Sequence, residues 1–177
     1  MRLLAFAASS SAKSINKQLA SYAASLVKGA DIEILDLNDF EMPLFSEDKE
    51  QEIGQPEQAK SFFAKLGQAD AIIISFAEHN GSYSAAYKNI FDWTSRIEQK
   101  LFQNKPMVLL STSPGPAGAA SVLTMAKNSM PYFAGDVKAS VSIPSFYDNF
   151  DSDNKILYDK KLAQMLTDAV AKISSLS

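Results

Sequence analysis

Two hydrophobic rhythms alternate along this chain. One is the short, continuous or alternating apolar run of a strand; the other is the 3.6-residue spacing of an amphipathic helix. Residues 3–8 form the first run. Residues 31–37 alternate, with Ile32, Ile34 and Leu37 apolar, and predict an outer strand. Residues 71–76 read AIIISF, the β-branched composition of a central strand buried on both faces. Residues 107–111 (MVLLS) predict a fourth strand and the alternating residues 137–143 (VKASVSI) a fifth. Helical stripes lie between them. The first comprises Ile15, Leu19, Tyr22, Ala23, Leu26 and Val27, with Gly29 as its expected end. Pro56 suits the first turn of a second helix carrying Ala59, Phe62, Phe63 and Leu66. Ala86, Ile90, Trp93 and Ile97 mark a third helix, residues 117–132 a fourth, and Leu162, Met165, Leu166, Ala169 and Ile173 the last.

Strand and helix thus repeat five times. That order predicts an α/β fold, a five-stranded parallel sheet between two helical layers. Right-handed crossovers make 2-1-3-4-5 the expected strand order. Residues 39–55 are expected to form the longest loop. Nothing reads as an interdomain linker, so residues 1–177 are expected to be one domain.

Composition narrows the chemistry. There is no cysteine and one histidine, His79, which excludes thiol nucleophiles, disulfides, thiolate metal sites and multi-histidine centres. The formal net charge of -3 implies no broad basic face, so neither a nucleic-acid nor a membrane partner is expected. No apolar run approaches the roughly 20 residues of a membrane helix, and the apolar start reads as a buried strand rather than a leader. The expected compartment is the cytoplasm. Strings of the GxxxxGK, GxGxxG and GxSxG types are absent, which removes ordinary P-loop, dinucleotide and nucleophile-elbow readings.

In such sheets ligands bind beyond the carboxyl ends of the strands, where strand order reverses. Three loops lie there. Residues 9–16 open a helix with Ser9, Ser11, Ser14 and Asn16, and Lys13 adds charge. Free N–H groups at a helix start suit a phosphate, although serines also cap helices without any ligand. Residues 77–84 carry Glu78, His79, Asn80 and Gly81 on a strand end, where backbone groups suit the edge of a heteroaromatic ring. Residues 111–118 carry Ser111, Ser113, Gly115 and Gly118, with Pro114 and Pro116 stiffening the path.

At these loops the chain resembles the NADPH-dependent FMN reductase family, flavin, quinone, azo-dye and chromate reductases of flavodoxin-like fold. The first family loop usually reads G-S-x-R-x-x-S-x-N; residues 8–16 here are ASSSAKSIN. The second usually reads P-E-Y-N-x-S-x-x-x-x-L-K-N-x-x-D-W; residues 77–93 are AEHNGSYSAAYKNIFDW. Glu78, Asn80, Ser82, Lys88, Asn89, Asp92 and Trp93 fall in register. The third resembles SxSPGxxGG; residues 111–119 are STSPGPAGA. Ser11 stands in place of the usual arginine, His79 of the tyrosine and Ala77 of the proline.

The resemblance implies bound FMN. Carried over by position, Ser9, Ser11, Ser14, Ile15 and Asn16 would surround its phosphate and ribityl chain. Glu78, His79, Asn80 and Gly81 would line the isoalloxazine edge. Ser111, Ser113, Gly115 and Gly118 would close the other side. Lys88, Asn89, Asp92 and Trp93 are expected to be helix and packing residues. The implied activity passes electrons from NAD(P)H through FMN to a small acceptor (quinone, flavin, azo compound or metal ion) by a ping-pong mechanism. It needs no catalytic side chain, with His79 the one candidate. The alternative is an electron carrier, or an FMN-binding module, without NAD(P)H oxidation of its own. The resemblance also implies a homodimer, or a tetramer of paired dimers. Tyr87 and Phe91, off the third stripe, would either face that partner or complete the core.

Overall fold

A computed structural model of the chain describes residues 1–174. Its elements run β1 (Arg2–Ala8), α1 (Ile15–Ser25), β2 (Asp31–Leu35), α2 (Glu47–Ile53), α3 (Glu57–Gln68), β3 (Ala71–Phe76), β4 (Glu78–His79), β5 (Ser82–Tyr83), α4 (Ala85–Ile97), β6 (Pro106–Thr112), α5 (Ala120–Ser129), β7 (Asp136–Ile143), α6 (Phe146–Asn149), β8 (Phe150–Asp151), β9 (Ile156–Leu157) and α7 (Lys160–Ser174). The five long strands form a parallel sheet in the order β2-β1-β3-β6-β7, which is the predicted 2-1-3-4-5 once the hairpin strands are set aside.

Both faces of the sheet are covered, and the two-residue period of the strands sorts their side chains between them. Leu4, Phe6, Ile72, Ile74, Phe76, Met107 and Leu109 share one apolar cluster with residues of α3, α4 and α5. Leu3, Ala5, Ile73, Val108 and Leu110 share the other with α1 and α7. At the β7 edge the register slips: Met107 faces Val137, whereas Val108 faces Ala139. This bulge changes the parity of β7, so Val137 packs on the first cluster while Val141 and Ile143 fill the second.

Several expectations need correction. The stretch 39–55 is not a plain loop, because α2 and a 3-10 turn at Leu37–Phe40 interrupt it. Helix α2 buries no residue, so no stripe announces it. It stands on a Ser46 N-cap, three acidic residues in its first turn and an ion pair from Glu50 to Arg96 of α4 (2.9 Å). Residues 77–84 are likewise not a plain loop. Asn80 (φ 53°) and Gly81 (φ 76°) form the two-residue turn of the β4–β5 hairpin, the left-handed pair for which Asn-Gly is suited. Helix α1 ends four residues before Gly29, and α5 is shorter than expected, passing into a 3-10 turn at Met130–Phe133. Tyr87 is 1% exposed, and Phe91 packs on Tyr87, Phe102 and Phe133, so both complete the core of the single chain. They are no evidence for a partner.

Charged pairs brace the β2 edge. Glu33 accepts from Lys65 of α3 and from Arg2, and the Lys65 ammonium holds its carboxyl below the usual range. A carboxylate with a depressed native pKa stabilises the fold above its ordinary titration range and loses that contribution as pH falls through the native value. Lys65→Met should therefore cost no more than about 1 kcal/mol at neutral pH, the pair being partly exposed. Denaturant titrations should find the gap closed at acid pH, once Glu33 is protonated in both proteins.

Candidate functional site

The carboxyl ends of β1, β3 and β6 meet at one edge of the sheet, and the three expected loops leave from there. In the first loop Ser9 Oγ accepts from the N–H of Ser11 (3.2 Å), and the N–H of Ser14 donates to Ser11 O (3.1 Å). Ser14 is the N-cap of α1, its Oγ accepting from the N–H of Lys17 (3.2 Å). The next two N–H groups, of Ile15 and Asn16, begin the helix and have no intrahelical acceptor. They point out of the positive end of the helix dipole, beside the exposed Ser11 and Lys13.

The Asn16 side chain itself turns inward. Its Nδ2 donates to Thr112 O (3.1 Å), and its Oδ1 accepts from Thr112 N (3.1 Å) and from Ser75 Oγ (2.7 Å). All three residues are buried. The amide thus reads both sides of one backbone residue at the end of β6 while tying α1 to β3. Ser75 and Thr112 were not singled out from the sequence, although polar residues closing apolar runs were a signal for them.

In the second loop Glu78 does more than line an edge. Its Oε2 accepts from the N–H of Val122 (2.8 Å), in the first turn of α5. That helix starts on Ala119 in a left-handed conformation (φ 58°) with no side-chain cap, and Glu78 supplies the acceptor from across the site. His79 is exposed beside it. Asn80 and Gly81 sit at the exposed hairpin tip.

In the third loop Ser111 is buried and donates to Gly118 O (2.7 Å), which also accepts from Ser142 Oγ (2.9 Å). Gly118 is set by packing: a Cβ there would lie 2.3 Å from Ser142 Oγ and near the Ile143–Pro144 backbone, at φ 58°. Gly115 is the reverse case, with nothing within 4 Å of where a Cβ would stand. Its carbonyl accepts from Ser113 Oγ (3.2 Å) and from Ser145 N (2.9 Å), which fixes the loop.

A cleft of about 210 Å³ joins the three loops. Ser9, Ser11, Ser14, Ile15, Asn16, Glu78, His79 and Ser113 line it, whereas Asn80, Gly81, Ser111, Gly115 and Gly118 do not. The wall also includes Lys13, Ala77, Thr112 and Pro114, and Tyr147 from the segment after β7. Tyr147 was missed because only three strand ends were searched; an exposed aromatic after the fifth was the available signal. The motif residues of α4 lie outside the cleft. Lys88 pairs with Asp92 (2.6 Å), while Asn89 and Trp93 clamp the segment after β2. Phe45 N donates to Asn89 Oδ1 (2.9 Å), and Trp93 Nε1 donates to Pro43 O (2.7 Å).

Comparison with known proteins gives one consistent result. The family model described as NADPH-dependent FMN reductase matches residues 1–148. An NAD(P)H-dependent FMN reductase of Pseudomonas aeruginosa is 31% identical over 75% of this chain and 71% of its own length. A 2-hydroxy-1,4-benzoquinone reductase of a Burkholderia species is 35% identical over 60% of this chain and 57% of its own. Among solved structures, the flavoenzyme NAD(P)H:(acceptor) oxidoreductase FerB of Paracoccus denitrificans superposes with a TM-score of 0.77 at 24% identity, covering 98% of this chain and 95% of that one.

The Asn16 clamp makes a strong stability prediction. Asn16→Ala leaves the Ser75 hydroxyl and both Thr112 backbone groups buried without their partner, which should cost about 2–4 kcal/mol. Equilibrium unfolding in urea measures it; a loss under about 0.5 kcal/mol, the level of an ordinary surface substitution, would remove the clamp from the account.

Proposed function

We propose, from the premise that this chain belongs to the NADPH-dependent FMN reductase family, that it is an oxidoreductase holding FMN in the strand-end cleft and passing electrons from NAD(P)H to a small acceptor. The observation that carries this reading is the donor set at the start of α1. Two helix-start N–H groups, the exposed Ser11 hydroxyl and Lys13 converge on one cleft, which is the chemistry of a phosphate seat. The one carboxylate in the wall, Glu78, is drawn onto α5 by Val122, which turns its charge away from an anion. These residues fit the phosphate end of FMN.

Beyond that end, the backbone of Thr112 and Ser113 and that of Ala77 to His79 would flank the ring. Asn16 holds Thr112 in place for that task. Pro114 and the hydrogen bonds onto Gly115 O keep the wall rigid, so little ordering cost falls on binding. When bound, FMN supplies the redox chemistry, accepting a hydride equivalent and releasing electrons. The protein binds, orients and excludes water. Backbone donors stabilise negative charge better than water does where they are fixed in advance. A single cleft favours a donor and an acceptor that occupy it in turn, the ping-pong order. The exposed imidazole of His79 stands at the rim, placed to donate to either one.

The proposal extends to one domain, a cytoplasmic location and, on family grounds alone, a homodimer, which sedimentation equilibrium would read directly. No helix among the described residues is long and apolar enough to cross a membrane.

Steady-state assays of the FMN-loaded protein test the reading. Sustained NADPH oxidation that requires an added quinone, with parallel double-reciprocal lines, is expected. FMN retained without NADPH oxidation would instead make the chain an electron carrier. His79→Ala should shift the flavin potential or the acceptor range and leave the unfolding midpoint in place. If kinetics and flavin affinity are both unchanged, His79 has no part in the function.

A further inference from the structure

A second groove opens on the other side of the phosphate-binding turn. It runs along the outer face of α1 and is closed by the β8–β9 hairpin, with a volume of about 300 Å³. Lys13 and Ser14 line both this groove and the cofactor cleft, so the two adjoin at that turn. The floor is aromatic. The rings of Tyr22 and Phe150 meet edge to face at 5.4 Å, and Phe150 stacks on Phe146 at 4.9 Å.

The rim is cationic. Lys13, Lys17 and Lys155 line the groove, and no aspartate or glutamate does. Lys17 is paired with Asp36 (2.5 Å). Among the described residues neither Lys13 nor Lys155 forms an ion pair. Lys155 is held at an unusual place for a lysine, in the left-handed region at φ 54°. The turn before it is prebuilt. The Asp151 carboxylate accepts from the N–H groups of Asp153 and Asn154, from the Asn154 amide and from the Tyr158 hydroxyl, at 2.9–3.0 Å.

We propose that this groove receives the adenosine 2′-phosphate end of NADPH, with Tyr22 and Phe150 under the base and Lys155 on the 2′-phosphate. The inference rests on reading the adjoining cleft as the FMN site, since the nicotinamide end must reach that cleft. The aromatic floor suits a base and does nothing for a bare phosphate. Two unpaired ammonium groups at separate places along the rim suit a ligand with two phosphate positions. Lys155, at the end of the rim away from the FMN phosphate seat, meets the 2′-phosphate, and Lys13, which lines both sites, stands between the FMN phosphate and the bridging diphosphate. The serine hydroxyls between them suit a ribose. The family's loop arginine is absent at Ser11, and the cations here are Lys13 of the same loop and Lys155 of the β8–β9 hairpin.

Calorimetric titration of the FMN-loaded protein with 2′,5′-ADP, 5′-AMP and inorganic phosphate tests the proposal. For the unaltered protein, 2′,5′-ADP should bind about tenfold or more tighter than 5′-AMP, which lacks only the 2′-phosphate, the size of one charge-assisted contact. Lys155→Gly removes the ammonium at a position whose backbone glycine adopts freely, so the turn should survive. This variant should take up FMN as before and bind the two nucleotides alike. Equal binding of both nucleotides by the unaltered protein would overturn the proposal. So would an unchanged preference in K155G, or inorganic phosphate binding as tightly as 2′,5′-ADP. Failure to take up FMN would overturn the cofactor reading instead, and titration of the flavin-free protein would still decide the groove.

Discussion

The Asn16 side chain is the contact on which the rest of the site depends. Its amide pairs with the N–H and the C=O of Thr112 and accepts from Ser75. A side chain that copies a peptide group extends the sheet's bonding pattern to the first turn of α1. The start of that helix is thereby fixed against the ends of β3 and β6. Other buried hydroxyls continue the stitching. Thr112 Oγ1 donates to Ile143 O (2.7 Å), and Ser84 Oγ donates to Ala8 O (2.8 Å). In a low-dielectric interior such a network is strong when complete and costly when broken. It holds the strand ends in register through contacts that the chain supplies itself.

This division of labour explains why a polar motif can be mostly frame. Glu78 caps α5, Ser111 and Ser142 hold the Gly118 carbonyl, and Asn89 with Trp93 carry the segment after β2. The exposed side chains that line the cleft are few: Ser11, Lys13, His79, Pro114 and Tyr147. Variation at Ser11 and His79, where the family usually carries arginine and tyrosine, falls on these exposed positions. The frame residues Asn16, Glu78 and Asn89 keep the family pattern. Binding preference can therefore change while the scaffold stays intact.

The sheet was legible because its strands are buried on both faces and leave continuous apolar runs, as in residues 71–76. Elements set by capping and charge were not legible. Helix α2 has no apolar face, and the β4–β5 hairpin has two residues per strand, too few to show a period. The Asn80-Gly81 pair was the one local sign of that hairpin. For the site, motif spacing pointed to three loops that the fold brings around one cleft. It did not separate residues that line the cleft from residues that build it, because that depends on where a side chain's partners lie. Asn16 finds its partners 59 and 96 positions away. Tyr22 and Phe150 met only through folding, and no local pattern marks the groove between them.

The start of α1 is the proposed seat of a flavin phosphate. Titrating the flavin-free protein with FMN and with riboflavin, which shares the ring and lacks the phosphate, tests it most directly through quenching of flavin fluorescence. One FMN per chain, retained through desalting, is expected, with riboflavin bound at least about tenfold more weakly. Equal affinity for the two flavins, or no uptake of FMN, would contradict it.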